Sequence, residues 1–186
     1  MQYCRNSKFI LLFAFILLAT STASAQFDAL LKPGTKAPVN SLKATDDKTY
    51  QFPEAGQWNM VFYWSMFCHS CLDEIPALQK YLADKDTVTP FFVALDTKKM
   101  KTAIKNYCKK RNIKHPILLE EIASQTYRTA DQWGVMVTPS VFVVSPEGII
   151  KYSHAGPMDL EKFFKEFAQM QQKATGSKTL KPCPEE

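Results

Sequence analysis

The sequence predicts an α/β fold in which a central mixed β-sheet is flanked by helices and preceded by a β-hairpin. Three observations predict it. Short apolar runs rich in aromatic and β-branched residues alternate with segments of helical spacing along the middle of the chain. The last two runs are instead joined by Ser145-Pro146-Glu147-Gly148, whose residue types suit a tight turn. Ahead of the first buried run, two short strand-like segments flank a polar Asp46-Asp47 pair.

In order, the segment Ala37 to Ala44 and the run Lys48 to Phe52 read as the hairpin. Met60-Val61-Phe62-Tyr63-Trp64 is a continuous apolar run, as expected of a strand buried on both faces. Cys71, Leu72, Ile75, Leu78, Tyr81 and Leu82 recur at helical spacing, placing a helix from about Cys71 to Ala83. Phe91 to Leu95 is a second buried strand, and Met100, Ala103, Ile104, Tyr107 and Cys108 mark a helix ending near Arg111. Ile117 to Leu119 reads as a short strand, with a helix expected from about Ser124 to Trp133. Val141 to Val144 and Ile149 to Tyr152 form the closing hairpin. Phe163, Phe164 and Phe167 give the last helix its inner face. Parallel strands joined by helical crossovers, with helices on both faces and an antiparallel edge, follow from this order.

The ends are read apart from the fold. Arg5 and Lys8 precede an eleven-residue apolar run, Phe9 to Ala19, and Ala23-Ser24-Ala25 suits a signal-peptide cleavage site. Residues 1–25 are therefore expected to be a signal peptide, residues 26–172 a single domain, and residues 173–186 a flexible tail. The apolar run is short against the ~20 residues of a membrane span, and an uncleaved anchor is the alternative. An exported, periplasmic protein is expected. Removing the leader takes two of 23 basic residues and none of 18 acidic ones, lowering the net charge from +5 to +3. That excess supports no nucleic-acid partner.

The chemistry sits in Cys68-His69-Ser70-Cys71, where a strand gives way to a helix. A cysteine at a helix N-terminus meets unpaired N–H groups and the positive end of the helix dipole, which stabilise a thiolate. The thiolate is the form that attacks disulfides, and a second cysteine three residues on can resolve the mixed disulfide. His69, if protonated, adds favourable charge beside Cys68, and His69 and Ser70 are the residues that tune the redox balance. Cys108 and Cys183 are left over, and three readings stand: a structural disulfide between them, two unpaired thiols, or an auxiliary redox pair.

With these features in order, the chain resembles the thioredoxin-like superfamily, and within it the exported thiol-disulfide oxidoreductases of the TlpA/ResA type. The likeness runs from about Lys36 to Gln172. It rests on the hairpin ending Asp47-Lys48-Thr49-Tyr50, the Val61 to Cys71 passage, Glu74, and Val137-Thr138-Pro139-Ser140 leading to the Pro146-Glu147-Gly148 turn. The resemblance implies that Cys68 attacks, that Cys71 resolves, and that Pro139 is a cis-proline beside them. It also implies that the Thr138 backbone pairs with a substrate segment. Thioredoxins proper carry a buried aspartate six residues before the first cysteine; Phe62 stands there. Glu74, one helical turn after Cys71, matches the glutamate that TlpA/ResA-type proteins place near the site. It could act as a general base; the alternative reading is favourable charge in the helix's first turn.

The resemblance implies an enzyme acting on protein cysteines as a monomer, without metal or cofactor, and restored by a membrane-bound redox partner. A reductant in cytochrome c maturation or in disulfide quality control is the role it suggests. Two alternatives use the same pair. A Cu(I)-binding metallochaperone would hold the metal on both thiolates. A thiol peroxidase would use Ser65, three residues before Cys68, although Val61 stands where such enzymes carry proline. His115 and His154 are read as isolated. Lys98, Lys99, Lys101, Lys105, Lys109 and Lys110 read as the solvated face of a helix, and Trp64 and Trp133 as packing residues.

Overall fold

The computed structural model describes residues 29–176. The expected leader, Cys183 and the last ten residues of the expected tail lie outside them. The chain forms β1 (Asn40–Lys43) and β2 (Thr49–Phe52), an antiparallel hairpin turning at Asp47, whose φ is 69°. Then come β3 (Trp58–Trp64), α1 (His69–Leu82), β4 (Val88–Ala94), α2 (Lys101–Lys110) and β5 (Ile117–Leu119). A two-residue-per-strand hairpin, β6 (Ile122–Ala123) and β7 (Thr126–Tyr127), precedes β8 (Ser140–Val144), β9 (Ile150–Ala155) and α3 (Leu160–Gly176).

The main sheet has the order β5-β4-β3-β8-β9. The pairs β3–β4 and β4–β5 are parallel, while β3–β8 and β8–β9 are antiparallel, as the run of crossovers followed by a hairpin implied. β3 lies at the centre and all seven of its residues are buried. Its side chains alternate between two cores, as strand geometry requires. Met60, Phe62 and Trp64 pack with Ile75 and Leu78 of α1, Ile104 of α2, and Phe163 and Phe167 of α3. Val61 and Tyr63 pack with Leu42, Phe52, Trp133 and Phe142.

The three α-helices of the described residues thus lie over one face rather than on both faces as expected, and the helix expected from Ser124 to Trp133 is absent. Ser124 and Gln125 have φ of 50° and 66°, the conformation of a two-residue hairpin turn, and residues 128–134 follow as successive turns. Tyr127, Ala130 and Trp133 recur at helical spacing, but the turns place them inward equally well. The buried Glu120 carboxylate holds this segment, accepting from the Thr129 and Ala130 N–H groups and from Thr129 Oγ1 at 2.5 Å. Trp133 stacks on Phe52 and meets Phe142 edge-on, so it closes the second core with no helix to carry it. Gly134 is required where the chain leaves: its φ is +68°, and a Cβ there would sit 1.7 Å from the Ala29 carbonyl oxygen.

α1 contains Pro76, which has no N–H to give the Leu72 carbonyl one turn back. Tyr107 of α2 makes up the loss, its hydroxyl donating to Leu72 O at 2.7 Å. α3 continues to Gly176, four residues into the segment expected to be tail. Among the described residues no helix is long and apolar enough to cross a membrane.

Candidate active site

β3 ends at Trp64, and Ser65 to Phe67 carry the chain into α1. The helix starts at His69, two residues before the apolar spacing begins, because Cys68 is its N-cap. Cys68 has an extended backbone (φ −94°, ψ 103°), and its Sγ accepts a hydrogen bond from the Cys71 N–H at 3.3 Å. The two cysteines are joined as a disulfide, with Cα atoms 5.3 Å apart. Their surroundings differ. Cys71 is fully buried at 0 % exposure beside Ile75 and Leu78, while Cys68 is partly exposed. Ser70 Oγ lies 3.5 Å from Cys68 Sγ. His69 is almost fully exposed and faces Asp73 across 3.8 Å, so any charge it carries near Cys68 is shared with a carboxylate and with water.

The β3–β8 register sets Tyr63 opposite Ser140, which brings Thr138 and Pro139 to the end of β3 where the cysteine loop departs. The Thr138–Pro139 peptide bond is cis, as is Phe52–Pro53, which the sequence did not signal. Pro139 is buried and its carbonyl accepts from the Gly156 N–H at 2.8 Å. Among the described residues, no hydrogen bond occupies the Thr138 N–H or C=O. Phe67, Met136 and Val137, on the two segments that meet here, are exposed large apolar side chains.

Glu74 sits in the second turn of α1, so charge in the first turn is not its role. It is only 6 % exposed. The Met158 N–H donates to its Oε1 at 3.0 Å, and its buried Oε2 has no hydrogen-bond partner among the described residues. Burial pushes the carboxyl above its ordinary 4.5, against smaller downward pulls from the Met158 hydrogen bond and from His154. His154, expected to be isolated, thus acts electrostatically on the candidate base, and its Nε2 lies 3.2 Å from Pro157 O.

Sequence reasoning missed Asp96. It follows β4 and is buried at 4 % exposure. Its Oδ1 accepts from Ser65 Oγ and its Oδ2 from the Met66 N–H, both at 2.9 Å. The Ser65 hydroxyl in turn accepts from the Phe67 N–H at 3.2 Å, and the Ser65 carbonyl from the Cys68 N–H at 3.0 Å. One carboxylate therefore braces the whole loop that delivers Cys68 to its helix. The available signal was position: an acid just beyond the carboxyl end of a buried parallel strand, where α/β sites gather.

Cys108 lies on α2, half-buried, a free thiol whose pKa burial raises to about 11. Its expected partner Cys183 is outside the described residues. Among the described residues no group of three or more His, Cys, Asp and Glu side chains is arranged to hold a metal ion.

The AhpC/TSA family model matches residues 33–153, well over half of the chain. The chain belongs to the AhpC/TSA family. It is 25 % identical over 132 residues to the Thioredoxin-like protein YneN of Bacillus subtilis, covering 69 % of this chain and 74 % of that one. It is 23 % identical over 182 residues to the Thiol:disulfide interchange protein DsbE of Xylella fastidiosa, covering 94 % and 88 %. Among solved structures, StoA from Bacillus subtilis superposes with a TM-score of 0.56 at 22 % identity, over 72 % of this chain and 98 % of that one. The matched span holds the Cys68–Cys71 pair, Glu74, Asp96 and the cis Thr138–Pro139 bond, and the shared fold is thioredoxin-like.

Proposed function

We propose that this thiol-disulfide oxidoreductase is exported and exchanges disulfides with protein cysteines as a reductant, Cys68 attacking and Cys71 resolving. The observation that carries the assignment is the unequal exposure of the two sulfurs at the start of α1. Only Cys68 is open to a protein substrate, and it occupies the N-cap, where a thiolate is stabilised.

In the reduced protein, Cys68 thiolate attacks one sulfur of a substrate disulfide. A mixed disulfide forms, and the first substrate sulfur leaves as a thiolate that takes a proton from water. Cys71, its proton passed to Glu74, then attacks Cys68 Sγ and expels the second substrate sulfur. The substrate gains two electrons and the pair becomes the disulfide seen here. No cofactor takes part, because the electrons reside in the two sulfurs. A dithiol donor, membrane-bound in the role proposed, reduces the pair again. The unoccupied Thr138 backbone is suited to pair with the substrate segment, and Phe67, Met136 and Val137 offer it apolar contact.

The family match raises peroxidase chemistry, for which Ser65 would serve Cys68. Its hydroxyl is committed elsewhere, donating to Asp96 and accepting from Phe67 N–H, which favours disulfide exchange.

Insulin reduction tests the reading. The wild-type protein should be active and Cys68→Ser inactive, while Cys71→Ser should accumulate a mixed disulfide. Activity retained in Cys68→Ser refutes the scheme. A reduction potential near about −270 mV fits a reductant, and one near about −120 mV reverses the direction proposed. Export is checked by N-terminal sequencing of the mature protein, which should begin at Gln26.

A further inference from the structure

We propose that the cleft between the N-terminal hairpin and the start of α2 docks an acidic stretch of the polypeptide whose disulfide the Cys68–Cys71 pair reduces. The inference rests on the oxidoreductase reading and adds what kind of substrate the enzyme prefers.

The cleft has a volume of about 490 Å³ and is lined by Lys43, Asp47, Lys98, Lys101, Glu121 and Arg128, among others. Both carboxylates are already engaged. Lys101 Nζ lies 2.5 Å from Asp47 Oδ1, and Arg128 Nε lies 3.2 Å from Glu121 Oε2. Arg128 is further tied to the hairpin through the Ser41 carbonyl. Lys43 and Lys98 are exposed and, among the described residues, have no ion-pair partner within 4.0 Å. Lys105 and Lys43 also act on Asp47 from two different elements, so one aspartate faces more positive charge than it can neutralise. Two of the lysines read from sequence as a solvated helix face, Lys98 and Lys101, therefore join Lys43 from β1 around a single concavity. Among the described residues, the two carboxylates of the cleft face four cations, Lys43, Lys98, Lys101 and Arg128.

The charge is spread over three elements and supplied at its open edge by flexible lysines. Such a surface recognises an extended acidic chain through its field rather than one anion through a fixed fork. Its place suits the chemistry. Lys98 is two residues beyond Asp96, whose Oδ2 accepts from the Met66 N–H at 2.9 Å, and Met66 is two residues before Cys68. At about 3.5 Å per residue, the rim lies within about 20 Å of the attacking sulfur, the span of about six extended residues. Glutamates or aspartates four to six positions from a substrate cysteine can therefore reach the cleft while the disulfide meets Cys68.

The test uses the reduced full chain and two peptides with the same internal disulfide loop, differing only in three Glu or three Ser residues at that distance. At low salt, kcat/KM should favour the acidic peptide by about three- to tenfold, and the preference should vanish near 0.5 M salt, where screening is nearly complete. Lys43→Glu with Lys98→Glu should abolish or invert the preference while the serine peptide reacts at the wild-type rate. Equal rates for the two peptides at low salt, or a preference that survives the double substitution, overturn the inference. A cysteine-free acidic peptide titrated into the oxidised protein should shift the amide resonances of Lys43 and Lys98, and no shift at low salt also overturns it. That arm stands apart from catalysis, so failure to reduce either peptide counts against the oxidoreductase reading alone.

Discussion

Replacing Asp96 by Ala removes the one carboxylate that braces the loop in front of Cys68. Two hydrogen bonds disappear, from Ser65 Oγ and from the Met66 N–H, each 2.9 Å long and made to a buried acid. Bonds to charged acceptors contribute about 1.5–3 kcal/mol each, so the pair is worth about 3–6 kcal/mol. Releasing a buried charge offsets part of this, and a net cost of about 3 kcal/mol is expected. For a domain of this size that lowers the melting temperature by about 6–12 °C, read by thermal unfolding of the oxidised protein. The functional effect should be larger than the stability loss suggests. Without the carboxylate, Ser65 no longer holds the Phe67 and Cys68 N–H groups in place, and the N-cap geometry of Cys68 loosens. Insulin reduction, measured well below the melting point, should fall about tenfold or more. Asp96→Asn, which keeps one acceptor, should recover part of both losses. A Asp96→Ala protein that melts within about 2 °C of wild type and exchanges disulfides at the same rate would show that the carboxylate does not hold the loop.

Three further outcomes are expected. Because burial holds the Glu74 carboxyl above its ordinary 4.5, the native state keeps that proton longer than the unfolded chain does. Stability should therefore decline as pH rises from about 4.5 through the raised native pKa. Glu74→Gln should flatten that slope in urea midpoints, and resolution of the mixed disulfide should slow on the order of a hundredfold. Tyr107→Phe leaves the Leu72 carbonyl opposite Pro76 without a donor, a loss of about 1–3 kcal/mol seen in urea unfolding. The Cys108 thiol, with a pKa of about 11 against an ordinary 9.0, should alkylate at pH 8 about a hundredfold more slowly than a free cysteine. Mass mapping of non-reduced peptides then reports whether Cys183 pairs with it.

The central strand, the closing hairpin and the cysteine pair were legible because each is written locally. Met60 to Trp64 has no polar residue to place on a wet face, and the cysteines stand where one periodicity replaces another. The segment from Ser124 to Trp133 was misread because apolar residues three apart serve a run of turns as well as a helix. What decided between them was Glu120, a buried carboxylate that takes up the Thr129 and Ala130 N–H groups, and the pocket of Phe52 and Phe142 that receives Trp133. The start of α1 was set two residues late for a related reason. His69 and Ser70 carry no apolar signal, and the cap is made by a sulfur.

By itself, the sequence determined that two cysteines meet the first turn of a helix behind a fully buried strand, because periodicity and spacing are properties of neighbouring residues. Only the tertiary structure decided which sulfur faces solvent, that Glu74 is buried against Met158, and that Asp96 rather than a residue beside the motif braces the cysteine loop. Those relations join residues 30 or more positions apart, as in the Met66–Asp96 and Glu74–Met158 hydrogen bonds. Burial and charge at such distances follow from packing, which no local pattern encodes.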